Sequence, residues 1–303
     1  MTKIVVGVDG SSPAVHAAVW AAGEAVRRRE VLRLVHAYVV PAYGYPDFMA
    51  STAQLREALR REGVQALSAA EQAVRGAEPE VEVETDLVEG QATAVLRAEA
   101  RQARFVALGS RGLGGFPGLL VGSVATVLSG HARSPVVVVR GSGHDQPPPA
   151  QGQVVVGVDG SDASGAALGF AFDEAALRGV PLRAVRVWND VTLEATARIY
   201  PLSVDPDDID AAERDVLQAQ LDLWIEKYPG VATQPVVARG LPARTLLEFG
   251  GQAQLLVLGS RGRGGFRGML LGSTSQALIA HAPCPVAVVR ADPAAEGAPA
   301  WTT

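Results

Sequence analysis

Cysteine is nearly absent from the 303-residue chain: Cys284 is the only one. That excludes a disulfide scaffold and a cysteine-based structural zinc site. Lysine is almost as scarce, with only Lys3 and Lys227. Neither lies in a glycine-rich loop, so a Walker loop, which ends in Gly-Lys-Ser/Thr, is excluded. There is no basic excess: the formal charge is −5 and the pI about 5.6. A nucleic-acid partner, which calls for a basic face, is therefore not expected. No apolar run approaches the roughly 20 residues of a membrane helix, and Gly7 and Asp9 break the apolar start too early for a signal peptide. No membrane partner and a cytoplasmic location are the expectations.

What the chain does have is a repeat at a constant offset of 150 residues. Ile4-Val-Val-Gly7-Val-Asp9-Gly-Ser11 returns as Val154-Val-Val-Gly157-Val-Asp159-Gly-Ser161. Residues 107–140 and 257–290 agree at 20 of 34 positions without gaps. Two copies, each the length of a whole domain, mean two modules rather than a solenoid. The expected division is 1–140, a Gly/Ser/Pro linker at 141–152, a second module at 153–290, and an Ala/Pro/Gly tail at 291–303.

Each half alternates strand and helix. In the first, strands are expected at 3–8, 31–39, 81–88, 104–109 and 135–140. Helices are expected at 13–29, capped by Ser12 with Pro13 at the first helical position, and at 51–76, 91–103 and 122–132. Alternation of this kind implies an α/β fold with a parallel sheet covered on both faces. The third strand alternates Val81, Val83, Thr85 and Leu87 with acidic residues, and its counterpart contains Pro235. Both features suit a sheet edge. A doubly wound five-stranded order 3-2-1-4-5 follows, with the switch point between strands one and four, where ligands bind at the carboxyl ends.

The best-repeated segment follows strand four. It reads Gly109-Ser110-Arg111-Gly112-Leu-Gly114-Gly115, then Gly122-Ser123. The second copy reads Gly259-Ser260-Arg261-Gly262-Arg-Gly264-Gly265, then Gly272-Ser273. Both fit G-x2-G-x9-G-S. Glycines let a backbone come close to a ligand, and a helix N-terminus with a serine supplies unpaired N–H groups. A phosphate is the expected ligand. Asp9 and Asp159 end strand one and are candidates to face it, through a magnesium ion, or else to bond the amides of their own turn. Arg111 and Arg261 are candidates to pair with it. His131, His281 and Arg27-Arg28-Arg29 sit at helix C-termini, where cationic side chains are favoured structurally. Cys284 reads as a small core residue. No G-x-S-x-G elbow, H-E-x-x-H helix or Cys–His nucleophile pair is present, so no catalytic residue is assigned.

The pattern after strand four resembles the universal stress protein family in its tandem, ATP-binding form. His131-Ala-Arg-Ser-Pro135-Val and His281-Ala-Pro-Cys-Pro285-Val are similar to the family as well. The resemblance covers about 1–140 and 153–290. It implies the adenine-nucleotide α-hydrolase-like fold and one ATP per module. The backbone near Ala37-Tyr38 and Val187-Trp188 would meet adenine, and Gly7, Asp9, Gly157 and Asp159 would lie against the nucleotide. It further implies a stress-response regulator with a regulatory protein partner, and modules that pair through strand five, within the chain or as a homodimer. The alternative is a slow ATP hydrolase or a nucleotidyl-transfer enzyme on the same fold.

Overall fold

The computed structural model describes residues 2–41, 49–113, 121–141, 146–189, 205–263 and 271–291. The chain divides into two compact units, Met1–Pro148 and Pro149–Thr303. The first runs β1 (Lys3–Gly7), α1 (Ser12–Arg28), β2 (Val31–Tyr38), α2 (Met49–Ala77), β3 (Val83–Glu89), α3 (Ala92–Glu99), β4 (Ala103–Gly109), α4 (Ser123–His131) and β5 (Val136–Val139). The second runs β6 (Gln153–Gly157), α5 (Asp162–Arg178), β7 (Leu182–Trp188), α6 (Pro206–Lys227), β8 (Thr233–Arg239), α7 (Pro242–Gly250), β9 (Ala253–Gly259), α8 (Ser273–His281) and β10 (Val286–Val289).

In the first module the strands lie in the order β3-β2-β1-β4-β5, all parallel. In the second the order is β8-β7-β6-β9-β10, again parallel. Both are the expected 3-2-1-4-5. The charged strand β3 and the Pro235 strand β8 each pair only with β2 or β7 within their own module. Right-handed crossovers are the rule for such strand–helix–strand units, and with the strand order reversing between β1 and β4 they place helices on both faces of the sheet.

The cores are built by sheet residues against small helix faces. Ile4, Val5 and Val6 are fully buried, and α1 meets them with Ala14, Ala17, Ala18, Ala21, Ala22 and Ala25. That alanine stripe at i, i+3, i+4, i+7 lets the helix sit close to the sheet. In α5 the stripe carries Phe170 and Phe172 as well. The Phe172 ring lies 6.2 Å from Trp224 and 5.7 Å from Tyr228, both on or just after α6.

Most boundaries shift by one or two residues from expectation, and three of the shifts have a visible cause. The cap of α1 is Ser11, not Ser12: Ser11 is extended, and its Oγ accepts the Ala14 N–H at 3.3 Å. Pro13 remains in the first turn. Helix α3 stops at Glu99 because the Arg101 and Gln102 amides close tight turns onto the Ala98 and Glu99 carbonyls. Strand β3 starts at Val83 because the Val81 amide is used in a turn to Glu78.

Candidate functional site

The strand order reverses between the paired strands β1 and β4, and between β6 and β9, and the clefts open at the carboxyl ends of these strands. Asp9, two residues past β1, does not point freely into its cleft. Its Oδ1 accepts the Ser11 amide at 3.0 Å and the Ser11 hydroxyl at 2.6 Å, while Oδ2 accepts the Leu113 amide at 3.0 Å. Ser11 Oγ also reaches the Arg111 carbonyl at 3.3 Å. One carboxylate and one hydroxyl thus fasten the loop after β4 to the loop after β1, 100 residues away in sequence. The second module repeats the clamp. Asp159 Oδ1 accepts from the Ser161 amide at 3.0 Å and hydroxyl at 2.7 Å, Oδ2 from the Arg263 amide at 3.0 Å.

The glycines divide by what their missing Cβ avoids. A Cβ on Gly112 or Gly262 would overlap the Asp9 or Asp159 carboxylate, so these glycines admit the clamp. One on Gly109 would come within 2.6 Å of the α1 backbone at Pro13, and one on Gly259 within 2.9 Å of Ala163. These glycines line the clefts and also let the first helix seat against the sheet. On Gly7 a Cβ would meet Leu108 at 2.7 Å and Leu96 at 2.9 Å, and Gly157 matches with Leu258 at 2.8 Å and Leu246 at 3.0 Å.

Gly122 and Gly272 are different. Their φ is −70° and ψ 149° and 153°, open to any residue. The nearest atoms to an added Cβ are 3.8 and 3.6 Å away. Nothing within the described protein requires glycine there, yet both border the cleft. Their amides bond the Ser110 and Ser260 carbonyls at 2.9 Å, which draws the loop ends together. That closure sets the N-termini of α4 and α8 at the cleft, without a side-chain cap on either. The first-turn amides beyond them have no helical acceptor.

The first cleft measures about 440 Å³ and the second about 800 Å³. Both fall in the range of small-molecule sites. Of the expected residues, Gly7, Asp9, Ala37, Gly109, Arg111 and Gly112 line the first cleft, together with Gly122 and Ser123. Gly157, Asp159, Val187, Gly259, Arg261 and Gly262 line the second, together with Gly272 and Ser273. Ser110 and Ser260 contribute backbone to loop closure and are not on the cleft walls. Gly114, Gly115, Gly264 and Gly265 lie outside the described residues.

Sequence reading missed the wall supplied by α3 and α7. Ala92 and Leu96 line the first cleft, Pro242 and Leu246 the second, each pair on one helix face at i, i+4. It also missed Glu213 of α6, which lines the second cleft and ion-pairs with buried Arg186. Trp188 does line the second cleft, where its Nε1 donates to Asp210 at 2.5 Å and Arg239 lies over its ring at 5.6 Å. Arg290 follows β10 and is half-buried; its pKa is lowered by that burial and then by the charge of Arg261.

Among the described residues no three His, Cys, Asp or Glu side chains gather as a metal-ligating group. A magnesium ion held by one carboxylate would take its other ligands from phosphate and water. Among the described residues no helix is long and apolar enough to cross a membrane.

Comparison with known proteins agrees with this architecture. The universal stress protein family model matches residues 1–140 and 152–290. A universal stress protein of Mycobacterium tuberculosis is 39% identical, over 95% of this chain and 94% of its own. A second from that organism is 38% identical over 95% and 96%. Among solved structures, a universal stress protein of Archaeoglobus fulgidus shares the fold with a TM-score of 0.66 at 21% identity, covering 95% of this chain and 98% of that one. With a repeated strand order, a repeated loop clamp and relatives matched along almost their whole length, the chain belongs to the universal stress protein family, as two family modules in tandem.

Proposed function

We propose that each module binds one adenine nucleotide, ATP in its fully charged form, and that occupancy makes the chain a nucleotide-dependent regulator of a stress response. The observation that carries this is the pair Gly122 and Gly272. They border the clefts in ordinary backbone conformations, with room for a Cβ and no neighbour that forbids one. A phosphate resting on the backbone is what such a surface accommodates and a side chain would fill. Arg111 and Arg261 supply positive charge at the same end.

In this reading Asp9 and Asp159 hold the loop that cradles the phosphates. Each carboxylate already accepts three hydrogen bonds, which leaves it poorly placed to take a proton as a general base. Binding rather than turnover is therefore the proposed activity. Magnesium, where present, would arrive with the phosphates. A cytoplasmic location, a regulatory protein partner and a homodimer belong to the same proposal.

Mass spectrometry of gently purified protein under native conditions tests it. Two retained adenine nucleotides per chain, or two exothermic sites by calorimetry on stripped protein, are expected. Stripped, folded protein that gives neither heat nor a thermal shift with ATP refutes the reading.

A further inference from the structure

We infer that the two clefts are not equivalent: the second is built for a polyphosphate, whereas the first gains little from each added phosphate. This rests on the nucleotide-binding reading above and divides it between the modules. The clamps are the same in both, so the difference comes from side chains at matching positions.

The residue fastened by the aspartate is Leu113 in the first module and Arg263 in the second. Each lies over the glycine that follows the aspartate. A Cβ on Gly10 would meet Leu113 Cδ1 at 3.7 Å, and one on Gly160 would run into the Arg263 guanidinium. Arg263 lines the second cleft beside Arg261, whereas Arg111 is the only arginine among the residues lining the first. The floor changes in the same direction. Ala14, Val124 and Ala125 in the first cleft become Ser164, Thr274 and Ser275 in the second. The extra acid of the second cleft, Glu213, is paired with Arg186 and so does not cancel the added cation.

Charge-assisted bonds to phosphate are about twice as strong as neutral ones, and an arginine can grip two oxygens at once. An apolar wall offers a second or third phosphate nothing in return for its lost water. The larger volume, about 800 against 440 Å³, has room for the longer ligand.

The test uses full-length protein with one cleft closed at a time. Gly122→Val closes the first and Gly272→Val the second; both positions have backbone angles valine accepts. Circular dichroism establishes that each variant is folded. Calorimetry then gives the affinity of each single-site protein for ATP, ADP and AMP. Trp188 lines the second cleft and no tryptophan lines the first, so a fluorescence change identifies filling of the second. We expect the ATP-to-AMP affinity ratio to be about tenfold or more greater for the second site, with a steeper loss on adding salt. Arg263→Leu should reduce that ratio toward the first site's, and Leu113→Arg should raise the first site's. Equal ratios at both sites, or a steeper ratio at the first, overturn the inference while leaving the nucleotide-binding reading intact. If wild-type protein and both variants bind none of the three nucleotides, that reading falls and the inference falls with it.

Discussion

The loop clamps of the two modules agree bond for bond, and the packing behind them does not. Asp9 and Asp159 each accept the same three donors, at distances that differ by no more than 0.1 Å. Behind β2, His36 Nδ1 donates to Val8 O at 2.8 Å and the ring faces Gly63. At the matching place behind β7 stand Arg186 and Glu213, an ion pair with the arginine side chain 5% exposed. Likewise Ala22 and Val74 give way to Phe172 and Trp224. The difference teaches that the clamp depends on a few polar atoms in fixed places, while the helix behind the sheet needs only to fill volume and satisfy its own charges. Four substitutions test how far that separation extends.

The largest effect should come from breaking the pair that one module has and the other lacks. Glu213→Ala strands the Arg186 guanidinium in a nearly dry setting and should cost the second module about 3 kcal/mol. If packing there is as interchangeable as the comparison says, the double variant Arg186→His, Glu213→Gly, which copies the first module, should recover most of that loss. Chemical denaturation measures both. A double variant no more stable than Glu213→Ala would mean the two packings cannot be exchanged.

Next is Gly109→Ala. Its Cβ would press on the α1 backbone at 2.6 Å, against 2.9 Å for the matching Gly259→Ala at α5. Backbone cannot step aside as a side-chain end can, so about 2 kcal/mol is expected for the first and about 1 kcal/mol for the second. Equal, negligible shifts in thermal melting would show that the helices yield freely. These glycines illustrate what the sequence could and could not convey. Their place beside the cleft was legible from the repeat after strand four. Their second duty was not, because α1 approaches from nearly 100 residues away and leaves no local pattern at Gly109.

The third substitution addresses the clamp itself. Asp9→Asn keeps the shape but turns an N–H toward the Leu113 amide, so one of three bonds becomes donor against donor. A loosened loop should weaken nucleotide binding at the first cleft about tenfold and leave the second unchanged, with Asp159→Asn giving the mirror result. Unchanged affinity would detach the clamp from ligand binding. Here too the sequence carried half the answer. It offered Asp9 as a metal-facing carboxylate or as a partner of its own turn, and the bonds to the Ser11 amide and hydroxyl fit the second option. The bond to Leu113, 104 positions on, had no sequence signal. The strand order, by contrast, was legible in full, since charged and Pro-bearing strands fit only at an edge. The α3 wall was not, because Ala92 and Leu96 look like any amphipathic helix face until the sheet turns them toward the cleft.

The smallest effect concerns helix ends, where the modules use the same backbone with different residues. After α1 the chain turns through Arg29 at φ 54°, ψ 44°, the left-handed region; after α5 it turns through Gly179 at φ 64°, ψ 36°. The closing bonds match. The Glu30 amide reaches Ala25 O at 3.0 Å, and the Val180 amide reaches Ala175 O at 3.1 Å. Glycine adopts this conformation without a Cβ penalty, whereas an L side chain pays roughly 1–2 kcal/mol in full helical context. Glycine also has more freedom to lose on folding, which offsets part of the gain. Arg29→Gly should therefore stabilise the first module by about 0.5 kcal/mol, a rise of one or two degrees in its melting temperature. The reverse change, Gly179→Arg, meets no neighbour within 4 Å of the new Cβ, so only the backbone term remains and a loss of similar size is expected. If Arg29→Gly instead destabilises, the Arg29 side chain is contributing more than its strained backbone costs, and the two helix ends are alike in geometry but not in what holds them.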